Sequence, residues 1–144
     1  MAKLLTAIFL SLTLVSCEQN KQITDKGKEL IDNMCDKFMQ AFADGKIPDA
    51  LQLLKQNSVM AASTIDTLQS TINNQVANFF QAYGKILSSE FVTERKVKDF
   101  ITKRFYVLKF EKYYLKFFFT LYNNGKDWTI TTFDYNEDLI EILN

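Results

Sequence analysis

The amino-acid sequence predicts an α+β fold, in which three N-terminal helices pack on a curved antiparallel sheet of about four strands. Three observations predict it. Apolar residues recur at spacings of three and four as far as Tyr83, which places them on single helix faces. From Lys85 onward the chain becomes rich in Val, Ile, Thr, Phe and Tyr and alternates in twos, the signature of half-buried strands. Between the last two such runs stands Asn123-Asn124-Gly125-Lys126, a hairpin signal because Asn and Gly tolerate the positive φ of tight turns. Helices that precede the strands, rather than alternate with them, must cover one face of the sheet.

The first helix is predicted over 25–43. Leu30, Ile31, Met34, Cys35, Phe38, Met39 and Phe42 share its apolar face, with Asp32, Asn33, Asp36, Lys37 and Gln40 between them. Asp44-Gly45 ends it. Pro48, the single proline, fits the first turn of a second helix that carries Leu51, Leu53 and Leu54 to about Gln56. Ser63, with Asp66 three residues on, reads as the N-cap of a third helix. Its apolar face is Ile65, Leu68, Ile72, Val76, Phe79, Phe80 and Tyr83, and Gly84 supplies the stop.

Strands are predicted at about 86–94, 99–110, 113–122 and 127–135, with a turn at Glu111-Lys112. The last strand has a phase conflict, since Trp128 and Ile130 share one face while Phe133 and Tyr135 fall on the other. A bulge at Thr131-Thr132 resolves it and bends the sheet. The tail from Glu137 to Asn144 sets acids among Leu139, Ile140, Ile142 and Leu143, a pattern that suits a short helix and a final strand equally.

At 144 residues, with 47% apolar and 24% charged residues, the chain fits one domain that buries a single core. Basic and acidic residues balance at 17 each and are interspersed, which leaves no electrostatic footprint for nucleic acid. Histidine is absent, so the commonest general base and the imidazole metal ligand are both missing. The sequence holds no Gly-rich phosphate loop and no Cys/His metal cluster, and Asp134 to Asp138 lack the glycine and spacing of a calcium loop. No cofactor, metal or catalytic residue is therefore assigned. Glu90, Asp99 and Asp134, acids on or near strands, read as solvated surface groups.

Residues 1–17 open with Lys3, continue through the apolar stretch LLTAIFLSLTLVS, and close on small residues before Cys17, the pattern of a secretory signal too short to span a bilayer. Leu14-Val15-Ser16-Cys17 resembles the lipobox of bacterial lipoproteins. That resemblance implies a diacylglyceryl thioether on Cys17, which becomes the mature amino terminus, and anchoring to a membrane through acyl chains. Glu18, where an aspartate would favour inner-membrane retention in such lipoproteins, points to the outer membrane facing the periplasm. Residues 18–24 read as a polar tether and 25–144 as the domain. With Cys17 acylated, Cys35 has no disulfide partner and reads as a small buried hydrophobe.

The element order, Tyr83-Gly84-Lys85-Ile86 at the end of the helices, and the hairpin FFFTLYNNGKDWTITTF resemble the nuclear transport factor two-like superfamily, the cystatin-like α+β cone. Trp128-Thr129-Ile130 before Phe133 is the sharpest part of a resemblance that covers about residues 25–136. It implies a cone-shaped domain. Some relatives in that superfamily are isomerases or dehydratases with Asp, His or Tyr in the cavity, but no residue here matches those positions.

Residues 113–133 hold eight aromatics. On the third strand Tyr113, Leu115, Phe117, Phe119 and Leu121 share the face predicted to meet the helices, and Phe117 and Phe119 with Tyr83 and Trp128 are candidates for lining a pocket. Tyr114, Phe118 and Tyr122 share the other face with Lys116 and Thr120, and aromatics at this spacing suggest an interface, including a homodimer. The function expected is a non-enzymatic envelope lipoprotein that binds an apolar small molecule or a protein. The alternative is an isomerase- or dehydratase-type enzyme acting on a small apolar substrate. A carboxylate in a cavity beside Tyr83 or Tyr106 would favour the enzyme, and a filled core with an aromatic outer face would favour the binding module.

Overall fold

A computed structural model describes residues 15–144, with side chains from residue 25 onward. The predicted signal sequence up to residue 14 therefore lies outside the described residues, as does the side chain of Cys17. Helix α1 (Val15–Ala43) runs without a break through 18–24, the stretch whose composition reads as a tether. Helices α2 (Ile47–Asn57) and α3 (Ala62–Asn78) follow, then a 3-10 turn at Phe80–Tyr83. Strands β1 (Ile86–Val97), β2 (Ile101–Phe110), β3 (Tyr114–Asn123) and β4 (Trp128–Asn136) form an antiparallel sheet in chain order, and a one-turn helix α4 (Ile140–Leu143) ends the chain. The result is the predicted α+β fold, three helices and a curved four-stranded sheet.

Local chemistry explains where each helix stops or starts. Gly45 takes φ +76°, and the amides of Gly45 and Lys46 reach back to the carbonyls of Phe42 and Ala41, the paired bonds of a Schellman cap. Pro48 lies in the first turn of α2, where its missing N–H costs nothing. Ser63 is not the N-cap of α3. That position belongs to Ala61, which makes no side-chain cap bond, and Asp66 instead pairs with Lys55 of α2.

The third helix also ends earlier than its periodicity suggests. After Asn78 the backbone tightens into the 3-10 turn, which tucks Phe80 against Phe110 and Tyr83 and leaves Phe79 exposed. Gly84 then takes φ +83°, ψ −163°, a region open essentially to glycine, and a Cβ there would lie 2.5 Å from Glu111 Oε2 and 2.9 Å from Glu111 Cβ. Gly84→Ala is therefore expected to cost at least about 1–3 kcal/mol in urea unfolding, whereas Gly125→Ala, in an open turn, costs only the strain of its positive φ. Equal losses at the two glycines would contradict the close approach to Glu111.

The register of β3 and β4 resolves the phase conflict as predicted. Thr120 pairs with Thr132 but Leu121 pairs with Ile130, so Thr131 is the extra residue, and its hydroxyl donates to the Thr120 carbonyl at 3.2 Å. Ile130 and Phe133 are consequently both buried on the helix side. In the β3–β4 turn the Asn123 side chain accepts from Gly125 N–H, and that of Asn124 accepts from the amides of Lys126 and Asp127.

Helix α1 lies along the sheet. Phe38 packs on Phe119 and Phe133 with ring centroids at 5.2 and 4.8 Å, and Phe42 packs edge-on to Phe117 at 4.9 Å. Cys35, Leu51, Leu54, Ile65, Ile72, Leu108 and Ile130 complete a fully buried core. Leu30, at the margin of the α1 stripe, is exposed.

Candidate functional site

Strand alternation gives the sheet two faces of different chemistry. The helix-facing side of β3 is Leu115, Phe117, Phe119 and Leu121, all buried, and from β2 come Tyr106, Leu108 and Phe110. Rings fill its middle: Phe117 stacks on Tyr135 at 5.2 Å, and Phe119 meets Phe133 at 5.2 Å and Tyr106 at 5.8 Å. Phe117 and Phe119 are thus packed core side chains. Tyr83 stacks on Tyr113 near the start of β3, while Trp128 pairs with Asn123 at its far end, beneath the Lys28 ammonium. The four residues expected to line one pocket are divided between the core and the two ends of the sheet.

An apolar cleft of about 230 Å³ opens elsewhere, where the α1–α2 turn, the end of α3 and the start of β1 converge. Phe42, Ile47, Val76, Phe80, Ile86 and Phe110 line it. No carboxylate is among its lining residues.

The carboxylates near Tyr106 belong to a different place, an ion cluster between α1 and the β1–β2 pair. The Arg104 guanidinium donates through Nε to Tyr106 Oη (3.1 Å), through Nη1 toward Glu94 and Asp32 (3.0 Å each), and through Nη2 to Asp36 (3.3 Å). Lys28 bridges Asp32 (2.6 Å) and Glu94 (2.8 Å), the Tyr106 hydroxyl donates to Asp36, and Phe91 lies 4.4 Å from the guanidinium carbon. Every donor of the cluster has an acceptor within it. Burial, together with the bond to Asp36, pushes the Tyr106 phenol well up, so it stays protonated. Burial likewise pushes the Cys35 thiol far up, which makes it inert as a nucleophile.

Asp32 and Glu94 titrate in opposite senses. Burial raises the Asp32 carboxyl, whereas for Glu94 burial is outweighed by hydrogen bonds from Lys28, Lys96 and Arg104, which hold it below the usual carboxylate range. A lowered carboxyl contributes stability that is present above its unfolded value and lost as the pH falls through its folded value. Glu94→Gln is therefore expected to cost about 1–3 kcal/mol at pH 7, a deficit that closes below about pH 4. Urea titrations of both proteins across pH 3–7 check this, and a deficit independent of pH would remove the electrostatic assignment.

The other face of the sheet carries Lys103, Phe105, Val107 and Lys109 from β2, with Tyr114, Lys116, Phe118, Thr120 and Tyr122 from β3. Tyr114 and Tyr122 are exposed and Phe118 is half-buried. Phe105 and Lys116, however, are each only 1% exposed although no helix of the core lies on this side. Phe105 lies against Phe118 and beneath the Lys103 ammonium, and the C-terminal segment reaches both lysines: Glu141 binds Lys103 through both oxygens at 2.9 Å and approaches Lys116 at 3.7 Å. Lys103 sits 4.0 Å above the Phe118 ring. Sequence reasoning placed Lys116 on this face but missed Lys103, Arg104, Asp36 and Glu141. The mixture of lysine with aromatics along β3 was the available signal, and the tail's path was not.

Among the described residues no helix is long and apolar enough to cross a membrane, and no group of three or more His, Cys, Asp or Glu is placed to hold a metal ion. Comparison with protein families, curated proteins and solved structures finds no match to this chain.

Proposed function

We propose that the protein is a bacterial envelope lipoprotein, anchored through acyl chains on Cys17 and facing the periplasm from the outer membrane. Its domain, of the nuclear transport factor two-like kind, serves as a non-enzymatic binding module. The observation that carries this reading is how the interior is filled. Phe38, Phe42, Phe117, Phe119 and Phe133 occupy the space between helix and sheet where a catalytic chamber would lie. Tyr106, the buried tyrosine that meets carboxylates, is locked by Arg104 and Asp36 outside the apolar cleft. Binding surfaces remain at the periphery: the cleft suits a small apolar ligand, and the outer sheet face suits a protein.

The anchor is tested by Cys17→Ser. The wild type is expected to incorporate labelled palmitate and to sediment with membranes, and the variant to lose the label and appear in the soluble fraction. A variant that keeps its label would end the lipoprotein reading. Native mass spectrometry of the purified protein tests the binding module, since a co-purified small apolar mass or a bound protein supports it and turnover of such a ligand would return the enzyme to first place.

A further inference from the structure

The tail that covers the outer sheet face combines two features. Its contact is chemically specific, with one carboxylate, flanked by Ile140 and Ile142, answering two lysines set among Phe105 and Phe118. Its hold is slight. Helix α4 is a single turn, too short to be stable alone, and its ion pair with Lys103 is partly solvated. Ile140 and Leu143 remain 64% and 78% exposed, so much of the tail's apolar surface is not used in the cis contact.

We propose that residues 137–144 are a displaceable strap, and that the face beneath is a docking surface for a partner protein's acidic–aliphatic segment, whose carboxylate takes the place of Glu141 between Lys103 and Lys116. The inference rests on the reading of the domain as a binding module and names the chemistry of its partner. Charge complementarity identifies the occupant. Lys116 is buried beneath the strap, so a segment that takes the strap's place and buries the ammonium again must bring an anion to it. The rings on either side favour aliphatic neighbours for that anion, as the sequence Leu139-Ile140-Glu141-Ile142-Leu143 supplies in cis. Tyr113, which donates to Glu137 at 3.2 Å, marks the point where the strap leaves the sheet.

The test uses the anchored full-length protein in detergent and a fluorescent peptide of residues 134–144, DYNEDLIEILN, read by anisotropy. Glu141→Lys sets a third ammonium against Lys103 and Lys116 and releases the strap. The peptide is expected to bind this variant at least about tenfold more tightly than the wild type, in which the closed strap leaves only a minor fraction of the face free. Adding Lys103→Glu is expected to abolish that gain. Should Glu141→Lys fail to fold, Ile142→Asp releases the strap through its half-buried aliphatic contact instead, and the same comparison applies. Equal affinities for wild type and released variant overturn the proposal, as does an absence of binding while the circular dichroism spectrum is intact. A peptide with the same Glu-to-Lys change that binds as well as the native one overturns it too, because the carboxylate is then not read. Palmitate labelling and co-purification of a cleft ligand do not depend on these results, so failure of the strap and failure of the envelope binding-module reading are told apart.

Discussion

Phe117→Ala is expected to lower the unfolding free energy by about 3–5 kcal/mol, a large share of the roughly 5–15 kcal/mol that holds a domain of this kind together. The reason is position rather than hydrophobicity alone. Phe117 is fully buried, meets Phe42 edge-on from α1 and stacks on Tyr135 from β4, so it joins helix to sheet. Neighbours fixed in strands and in a long helix relax little, and most of the vacated volume remains as cavity. Urea unfolding monitored by circular dichroism measures the change. A loss below about 1 kcal/mol would mean that the helix-facing side of β3 has been assigned to the wrong residues, and with it the filled centre on which the non-enzymatic reading depends.

Arg104→Met is expected to cost about 3 kcal/mol at pH 7, the lower end of the range for breaking a buried ion pair because Asp36 is half in water. The substitution keeps the aliphatic volume but removes the guanidinium that Asp32, Asp36 and Glu94 share, leaving Lys28 beside Asp32 and Lys28 with Lys96 beside Glu94. The Asp32 carboxyl, raised by burial even with Arg104 beside it, should then hold its proton to still higher pH in the folded state. Carboxyls shifted upward contribute stability that is fully present below their unfolded values and lost as the pH rises through their folded values, so the deficit should shrink on acidification to about pH 4. Arg104→Lys should recover only part of the loss, since an ammonium cannot donate to Tyr106, Glu94, Asp32 and Asp36 in one fan. Full recovery by lysine would show that charge alone, and not guanidinium geometry, holds α1 to the β1–β2 pair.

How the domain is organised could be read from local patterns. Phe38 and Phe42 at helical spacing, Pro48 at a helix start, Gly45 at a helix end and Asn124-Gly125 in a hairpin each act within a few residues, and the structure uses each where the pattern places it. The bulge at Thr131 was legible for the same reason: two-residue alternation fails by one position, and one extra residue restores it. The end of α3 was not legible, because the 3-10 turn at Phe80 is imposed by Phe110, thirty residues away along the chain.

The candidate sites divide along the same line. By itself the sequence determined the α+β layout, the alternation that separates Phe117 from Phe118, and the cysteine at the close of a signal-like stretch, because periodicity and short motifs are properties of neighbouring residues. Only the tertiary structure decided that Arg104 gathers acids from α1 and β1, and that the cleft forms at Phe80 and Phe110 instead of at Phe119. It alone decided, too, that Glu141 reaches back over Lys103 and Lys116. Each of these joins residues far apart in the chain, whose meeting depends on sheet register and on the direction in which a tail turns, and neither quantity is written in any local run of amino acids.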